Sequence, residues 1–103
     1  MSEDKLLRMI GLCCRAGKID AGEAKAEDRV RHKKSELIII SSDASCNTLK
    51  KFENLSKLFG IDLIKTGDRE SLGKYTGRDF AVVLSVSDSG FAKRIKELAD
   101  TNI

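Results

Sequence analysis

Proline is absent from these 103 residues, and no low-complexity run, internal repeat or linker-like stretch interrupts them. Nothing divides the chain, so one domain with one modest core is expected. No apolar run approaches the roughly 20 residues needed to cross a bilayer. The opening MSEDKLLRMIGLCC is acidic before it is apolar and does not read as a secretory signal, so a cytoplasmic location is expected.

The residue patterns of enzymes are also missing. There is a single histidine, His32, with no Ser, Cys or Asp partner beside it in sequence. The three cysteines, Cys13, Cys14 and Cys46, lack the paired spacing of a zinc site. Adjacent helical residues diverge, which disfavours a Cys13–Cys14 bridge and points to buried, reduced thiols. The stretch LGKYTG (Leu72 to Gly77) lacks the first glycine of a phosphate loop, and Tyr75 stands where Ser or Thr must meet magnesium. No Gly-x-Ser-x-Gly turn, His-Glu-x-x-His helix or paired-carboxylate signature occurs. Asp43, Asp68, Asp79 and Asp88 fall near strand ends or helix starts, where capping explains them. The expectation is a protein with no catalytic residues, no metal and no cofactor.

What is present is lopsided charge. The net +3 lies wholly in residues 1–34, which hold nine Lys or Arg against six Asp or Glu, whereas residues 35–103 hold ten of each. Arg29, Arg31, Lys33 and Lys34 cluster around His32. A helix end needs only one or two cations to complement its dipole, so this excess suggests attraction for a polyanion.

Helical and strand patterns alternate. A first helix is expected over Asp4–Ala16, with Ser2 as its cap and Leu6, Met9, Ile10, Cys13 and Cys14 buried. Lys18–Asp20 suits a short strand, and a second helix follows from about Gly22 to Lys34. Its core-facing stripe is thin (Ala26 and Val30), while Ala24, Lys25, Asp28 and His32 share another face. Leu37–Ser41 reads as a strand covered on both sides. Ser45 caps a third helix, to about Phe59, with Leu49, Phe52, Leu55, Leu58 and Phe59 turned inward. Ile61–Ile64 is a strand, Arg69–Tyr75 a short helix capped by Asp68, and Phe80–Val86 another strand. Ser87 or Asp88 caps a last helix burying Phe91, Ile95, Leu98 and Ala99. The fold class is α/β, a three-layer α/β/α sandwich.

Glycines mark the places where backbone can approach a ligand. Gly22 opens the second helix, whose start can hold phosphate. Gly73 and Gly77 bracket the turn before the last strand. There Arg78-Asp79-Phe80 sets a cation and an aromatic beside a tight loop, a pair suited to an unstacked base and its phosphate. Tyr75 is a second stacking candidate.

The order GEAKAEDRVRHKKSELIIISSDAS, then DRESLGKYTG, then an apolar strand resembles the ribosomal L7Ae kink-turn-binding family over about residues 5–98. SSDASCNTLKKF, ESLGKYTGRD and VSDSGFAKRI resemble its small bacterial YlxQ-type branch. The resemblance implies a mixed four-stranded sheet between helices and a grip on a sharply bent RNA internal loop, made by the glycine-opened helix and the loop before the last strand. In the family pattern that helix presents Gly, any residue, Asn, Glu, two more, then Lys. Here the positions hold Gly22, Glu23, Ala24, Lys25, Ala26, Glu27 and Asp28. The later basic position falls on His32, a basic residue ahead of the LG pair on Arg69, and the aspartate after the strand on Asp43.

The departures have physical weight. A glutamate accepts hydrogen bonds from a guanine edge, and an ammonium has no acceptor. Asp28 repels phosphate where lysine attracts it. Each such loss costs on the order of 1–3 kcal/mol of discrimination. Glu23 or Glu27 is a substitute acceptor if the helix docks rotated.

A non-catalytic RNA-binding protein is therefore expected, associated with ribosomal or other structured RNA and monomeric, with ribosomal proteins as further candidate partners and no membrane. Gly22, Lys25, Arg29, His32, Lys33 and Arg69 are expected on the RNA backbone. Gly77, Arg78 and Phe80 cover an extruded base, and Glu23, Ala24, Asp28, Asp43 and Asp79 complete the face. The alternative is a ribosome-associated protein-interaction module that has lost kink-turn recognition.

Overall fold

The structure, a computed structural model, describes residues 2–100, with side chains over 4–99. The elements run α1 (Ser2–Arg15), β1 (Ile19–Ala21), α2 (Glu23–Arg31), β2 (Leu37–Ile40), α3 (Cys46–Phe59), β3 (Asp62–Lys65), α4 (Arg69–Tyr75), β4 (Val83–Val86) and α5 (Ser89–Asp100). The strands form one mixed sheet in the order β1-β4-β2-β3, parallel only between β2 and β3.

Both central strands are buried along their whole length, as continuous apolar runs must be when helices cover both faces. Alternation then divides the core. Leu37, Ile39, Leu84 and Val86 face a layer containing Leu6, Ile10, Leu72 and Ile95 from α1, α4 and α5. Ile38, Ile40 and Val83 face Ala26, Val30, Phe52 and Leu55 from α2 and α3. The sandwich and its mixed four-stranded sheet are as expected.

Caps set the ends. The Ser45 hydroxyl accepts from the Thr48 amide at 3.2 Å. Asp68 and Ser71 form a reciprocal capping box. Asp88, rather than Ser87, caps α5 by accepting from the Phe91 amide at 2.8 Å. The cap expected of Ser2 rests on a side chain outside those described, and α1 already includes that residue.

Several boundaries differ from expectation. The second helix stops at Arg31, because His32 caps it and Lys33 turns left-handed at φ 58. The Lys33 and Lys34 amides donate back to the Val30 and Arg29 carbonyls, the double closure that ordinarily uses glycine. The last strand starts at Val83, three residues late. The Ser41 and Ala81 amides donate to the Val82 and Arg69 carbonyls, so Ala81 and Val82 are spent on loops. Leu58, assigned to the inner stripe, is 73% exposed; it lies about 100° round the helix from its inward neighbour Phe59. Leu7 is buried although the α1 stripe omitted it. Of the thiols only Cys13 is fully buried, and burial pushes it up to about 12; Cys46 is exposed, and all three are free.

Lys33 holds a conformation that costs an L-residue roughly 1–2 kcal/mol, while glycine there adds chain entropy to the unfolded state. Lys33→Gly is therefore expected to stabilise the protein by about 0.5–1 kcal/mol, read as a higher urea midpoint at unchanged slope.

Candidate functional site

The sheet register gathers four loops at one end of the molecule. Ala21 pairs with Leu84 across the β1–β4 ladder, so the next residue, Gly22, donates its amide to the Val83 carbonyl at 2.9 Å. Ser42 and Thr66 are joined to the same end through the Gly67 and Ile40 carbonyls.

Gly22 caps α2 at φ 107, a value L side chains avoid, and no side chain caps the helix. The Gly22 carbonyl accepts from Ala26, which leaves the Glu23, Ala24 and Lys25 amides without an intrahelical acceptor at a positive helix start. This start faces the segment leading into β4 across a groove of about 260 Å³, lined by Gly22, Glu23, Arg78, Phe80 and the Ala81–Val83 backbone. Phe80 is 62% exposed, an unusual position for a large aromatic. Arg78 has no ion-pair partner among the described residues.

Gly73 holds the far wall. Expected both within the Arg69–Tyr75 helix and at the edge of the turn, it lies inside α4 and is buried. A Cβ there would come within 2.5 Å of the Phe80 Cα and 2.9 Å of the Arg78 carbonyl. Only a glycine lets α4 pass this close to the loop. Gly77, at φ 72, turns the chain into it, and Asp79 is exposed between Arg78 and Phe80.

The remaining expected residues are split between this end and the opposite one. Asp43 and Arg69 sit at the groove end but are committed to each other. Asp43 accepts from the Arg69 amide at 3.1 Å and from Nε at 3.2 Å, while the Asp43 carbonyl accepts from the guanidinium at 2.9 Å. The pair is a strut between the β2–α3 connection and α4. Beneath it the Ser41 hydroxyl is buried without a well-formed hydrogen bond. It is nonetheless the largest influence holding the Asp43 carboxyl below the ordinary range, ahead of Arg69.

The basic cluster lies at the far end of α2, roughly 10–16 Å away along the helix, and is largely neutralised. Arg29 turns to β1 and pairs with Asp20 at 3.0 Å. Arg31 pairs with Glu27 at 2.8 Å, and His32 approaches Asp28 at 3.2 Å. Lys33 and Lys34 alone keep exposed heads without a described carboxylate partner. Lys51 of α3 contacts Glu27 at 2.6 Å and Glu23 at 3.5 Å. Its hydrogen bond to Glu27, followed by that of Arg31, holds the Glu27 carboxyl low. Ala24, Lys25 and Asp28 remain on the outer ridge, exposed. Nothing in the sequence marked Lys51, which reaches α2 from 24 residues further along the chain.

Residues 4–96 match the sequence pattern of the Ribosomal protein L7Ae/L30e/S12e/Gadd45 family. The chain belongs to this family. It is not an enzyme family, in keeping with the missing catalytic patterns. Within it, the chain is 32% identical over 100 residues to the RNA-binding protein YlxQ of Bacillus subtilis (strain 168), covering 97% of this chain and 100% of that one. It is 30% identical over 99 residues to the RNA-binding protein YlxQ of Enterococcus faecium, covering 96% and 95%. A solved structure of a protein with unknown function from Bacillus halodurans C superposes with a TM-score of 0.91 at 33% identity over 93% of this chain and 97% of that one. The Giardia lamblia 15.5kD RNA binding protein superposes at 0.82 with 19% identity, over 97% and 86%; that likeness is one of fold. The membership also agrees with the YlxQ-type resemblance in the sequence motifs. Among the described residues no helix is long and apolar enough to cross a membrane.

Two outcomes follow from this geometry. Gly73→Ala forces α4 away from the Arg78–Phe80 backbone and is expected to cost about 1–3 kcal/mol, measured by urea unfolding. Asp43 and Glu27 are both more acidic folded than unfolded, so their contribution is present above about pH 4 and fades as pH falls through the lowered values. Asp43→Asn and Glu27→Gln should each be less stable than the parent at pH 7 and lose less on acidification, read from thermal melts between pH 7 and pH 2.5.

Proposed function

We propose that this chain is a non-catalytic, cytoplasmic RNA-binding protein that holds structured, kink-turn-like RNA at the groove end and works on or near ribosomes. The observation that carries the reading is the groove itself. An uncapped helix start, an exposed phenylalanine and an unpaired arginine face one cleft. The α2 amides and Lys25 take a phosphate. Phe80 stacks an extruded base, and Arg78 takes the phosphate beside it. Asp43 contributes by fixing the Arg69 end of α4, and Lys33 reaches a phosphate farther along the strand. The names of the two curated relatives support RNA as the ligand.

The Ala24, Lys25 and Asp28 departures weaken base discrimination more than affinity. Asp28 and His32 face each other on the outer ridge, so the part of that ridge beyond Lys25 presents a paired surface. This favours, as a second reading, a domain that docks on protein there. Arg78→Glu with Phe80→Ala separates the two, since it lowers RNA binding and leaves a protein interface on the outer ridge intact.

Filter binding to a kink-turn RNA and to a straight duplex of the same composition, at rising salt, tests the proposal. Phe80→Ala should cost about 1–3 kcal/mol of RNA affinity, and Arg78→Ala should lower the salt slope by about 1. The triple change Ala24→Asn, Lys25→Glu and Asp28→Lys should raise preference for the kink-turn by on the order of 1–3 kcal/mol per restored contact. Affinity that is absent at low salt, or independent of salt, overturns the proposal.

A further inference from the structure

A second and larger cleft lies on the other helical layer, between α1 and α4, with a volume of about 650 Å³. That is within the range of roughly 300–1,000 Å³ typical of sites that enclose a ligand. Its floor is set by a close crossing, since a Cβ on Gly11 would sit 3.3 Å from the Tyr75 carbonyl. The Cys14 thiol closes the back against the Thr76 carbonyl at 3.7 Å.

Arg8, Leu12 and Arg15 stand on one wall at four- and three-residue spacing, one above another on the helix. Lys74 stands on the opposite wall. Leu12, between the two arginines, is 51% exposed although α1 buries its other leucines. Among the described residues no carboxylate lines the cleft.

The three cations are set apart by converging on one exposed leucine in a single cleft, and none is drawn off into an ion pair among the described residues as six others on this surface are. Arg29, Arg31, Lys51, Arg69, Arg94 and Lys96 each hold a carboxylate within 4 Å. Arg8, Arg15 and Lys74 hold none among the described residues. A solvent-facing leucine ringed by unpaired cations is complementary to an apolar side chain flanked by carboxylates.

We propose that the α1–α4 cleft docks a segment of a partner protein in which one or two large apolar side chains are flanked by aspartate or glutamate. The apolar anchor covers Leu12 and the Tyr75 side, and the flanking acids meet Arg8, Arg15 and Lys74. RNA fits less well. Tyr75, the one aromatic in the cleft, has its ring edge against Gly11 and a face 5.9 Å from the Lys74 ammonium, so a base stacking on that face has to displace Lys74.

This surface goes beyond the RNA-binding reading, yet it meets the RNA-facing groove at a single turn. The cleft ends at Thr76–Gly77, and Arg78 of the other groove is the next residue. One α4–β4 connection therefore serves both, and RNA and a protein segment can be held at the same time.

Selection of a random peptide library on the full chain, with counter-selection on Arg8→Glu/Lys74→Glu, tests the inference. Enriched peptides should carry Leu, Ile, Met or Phe with Asp or Glu on both sides. One such peptide, titrated into labelled protein, should shift the amide resonances of Gly11, Leu12, Thr76 and Gly77. Arg8→Glu and Leu12→Ser should each weaken it by about tenfold or more. Both residues are exposed, and circular-dichroism melts check that the variants fold. RNA affinity should change less than twofold in Arg8→Glu/Lys74→Glu, so failure here is distinct from failure at Arg78 and Phe80. No enrichment, enrichment without acidic flanks, or an Arg8→Glu/Lys74→Glu variant that loses RNA affinity overturns the assignment.

Discussion

The antiparallel pairing of β2 with β4 is the constraint from which the rest of the molecule follows. Leu37–Ile40 lie against Val83–Val86, and both strands are buried throughout. Eight residues with almost no water on either face need helices above and below. Because the strands run in opposite directions, the end of β2 lies beside the beginning of β4. β1 then pairs with the free side of β4, which sets Gly22 against Val83. A shift of one residue in either ladder would exchange side chains between the two core layers, and the groove would separate with them.

Charge on this surface is organised by pairing more than by number. Several cations that look available in the sequence, Arg29, Lys51, Arg69 and Lys96, are held by carboxylates from other elements, and such exposed pairs are worth little to stability individually. Their effect is on recognition. Glu27 with Arg31 and Lys51, Arg29 with Asp20, and Arg69 with Asp43 close off the flank of α2 and the start of α4. Cations left open among the described residues include those at three places that bear on recognition: Arg78 beside Phe80, the Lys25 ridge with the Lys33–Lys34 turn, and the α1–α4 cleft. Two of these adjoin one loop, whose path past α4 depends on the missing side chain of Gly73.

Elements with strong local signals were legible from the chain alone. The apolar runs at Leu37–Ile40 and Val83–Val86, the caps at Ser45 and Asp68, and the extent of α4 all rest on chemistry within a few residues. Less of the candidate site was legible. Gly22 and the Arg78–Phe80 turn could be singled out separately, and the family resemblance joined them before any geometry was known. The commitments of Arg29 and Arg69 could not be seen, because Asp20 and Asp43 lie on different elements, whereas that of Arg31 to Glu27 lies within one helix at i,i+4 spacing. Nor could the exposed Leu12, since a leucine in an amphipathic helix reads as core until its neighbours are placed.

The sequence by itself determined the α/β alternation, the two-sided burial of the central strands and the surplus of positive charge, because periodicity, capping and composition act over a turn or two of chain. Tertiary structure alone decided which cations remain unpaired, why Gly73 must lack a side chain, and that Gly22 and Phe80 share a cleft. Those facts depend on contacts between different elements and loops, from Gly73 against Phe80 to Gly22 beside Phe80, whose distances are fixed by sheet register and helix packing rather than by any local preference.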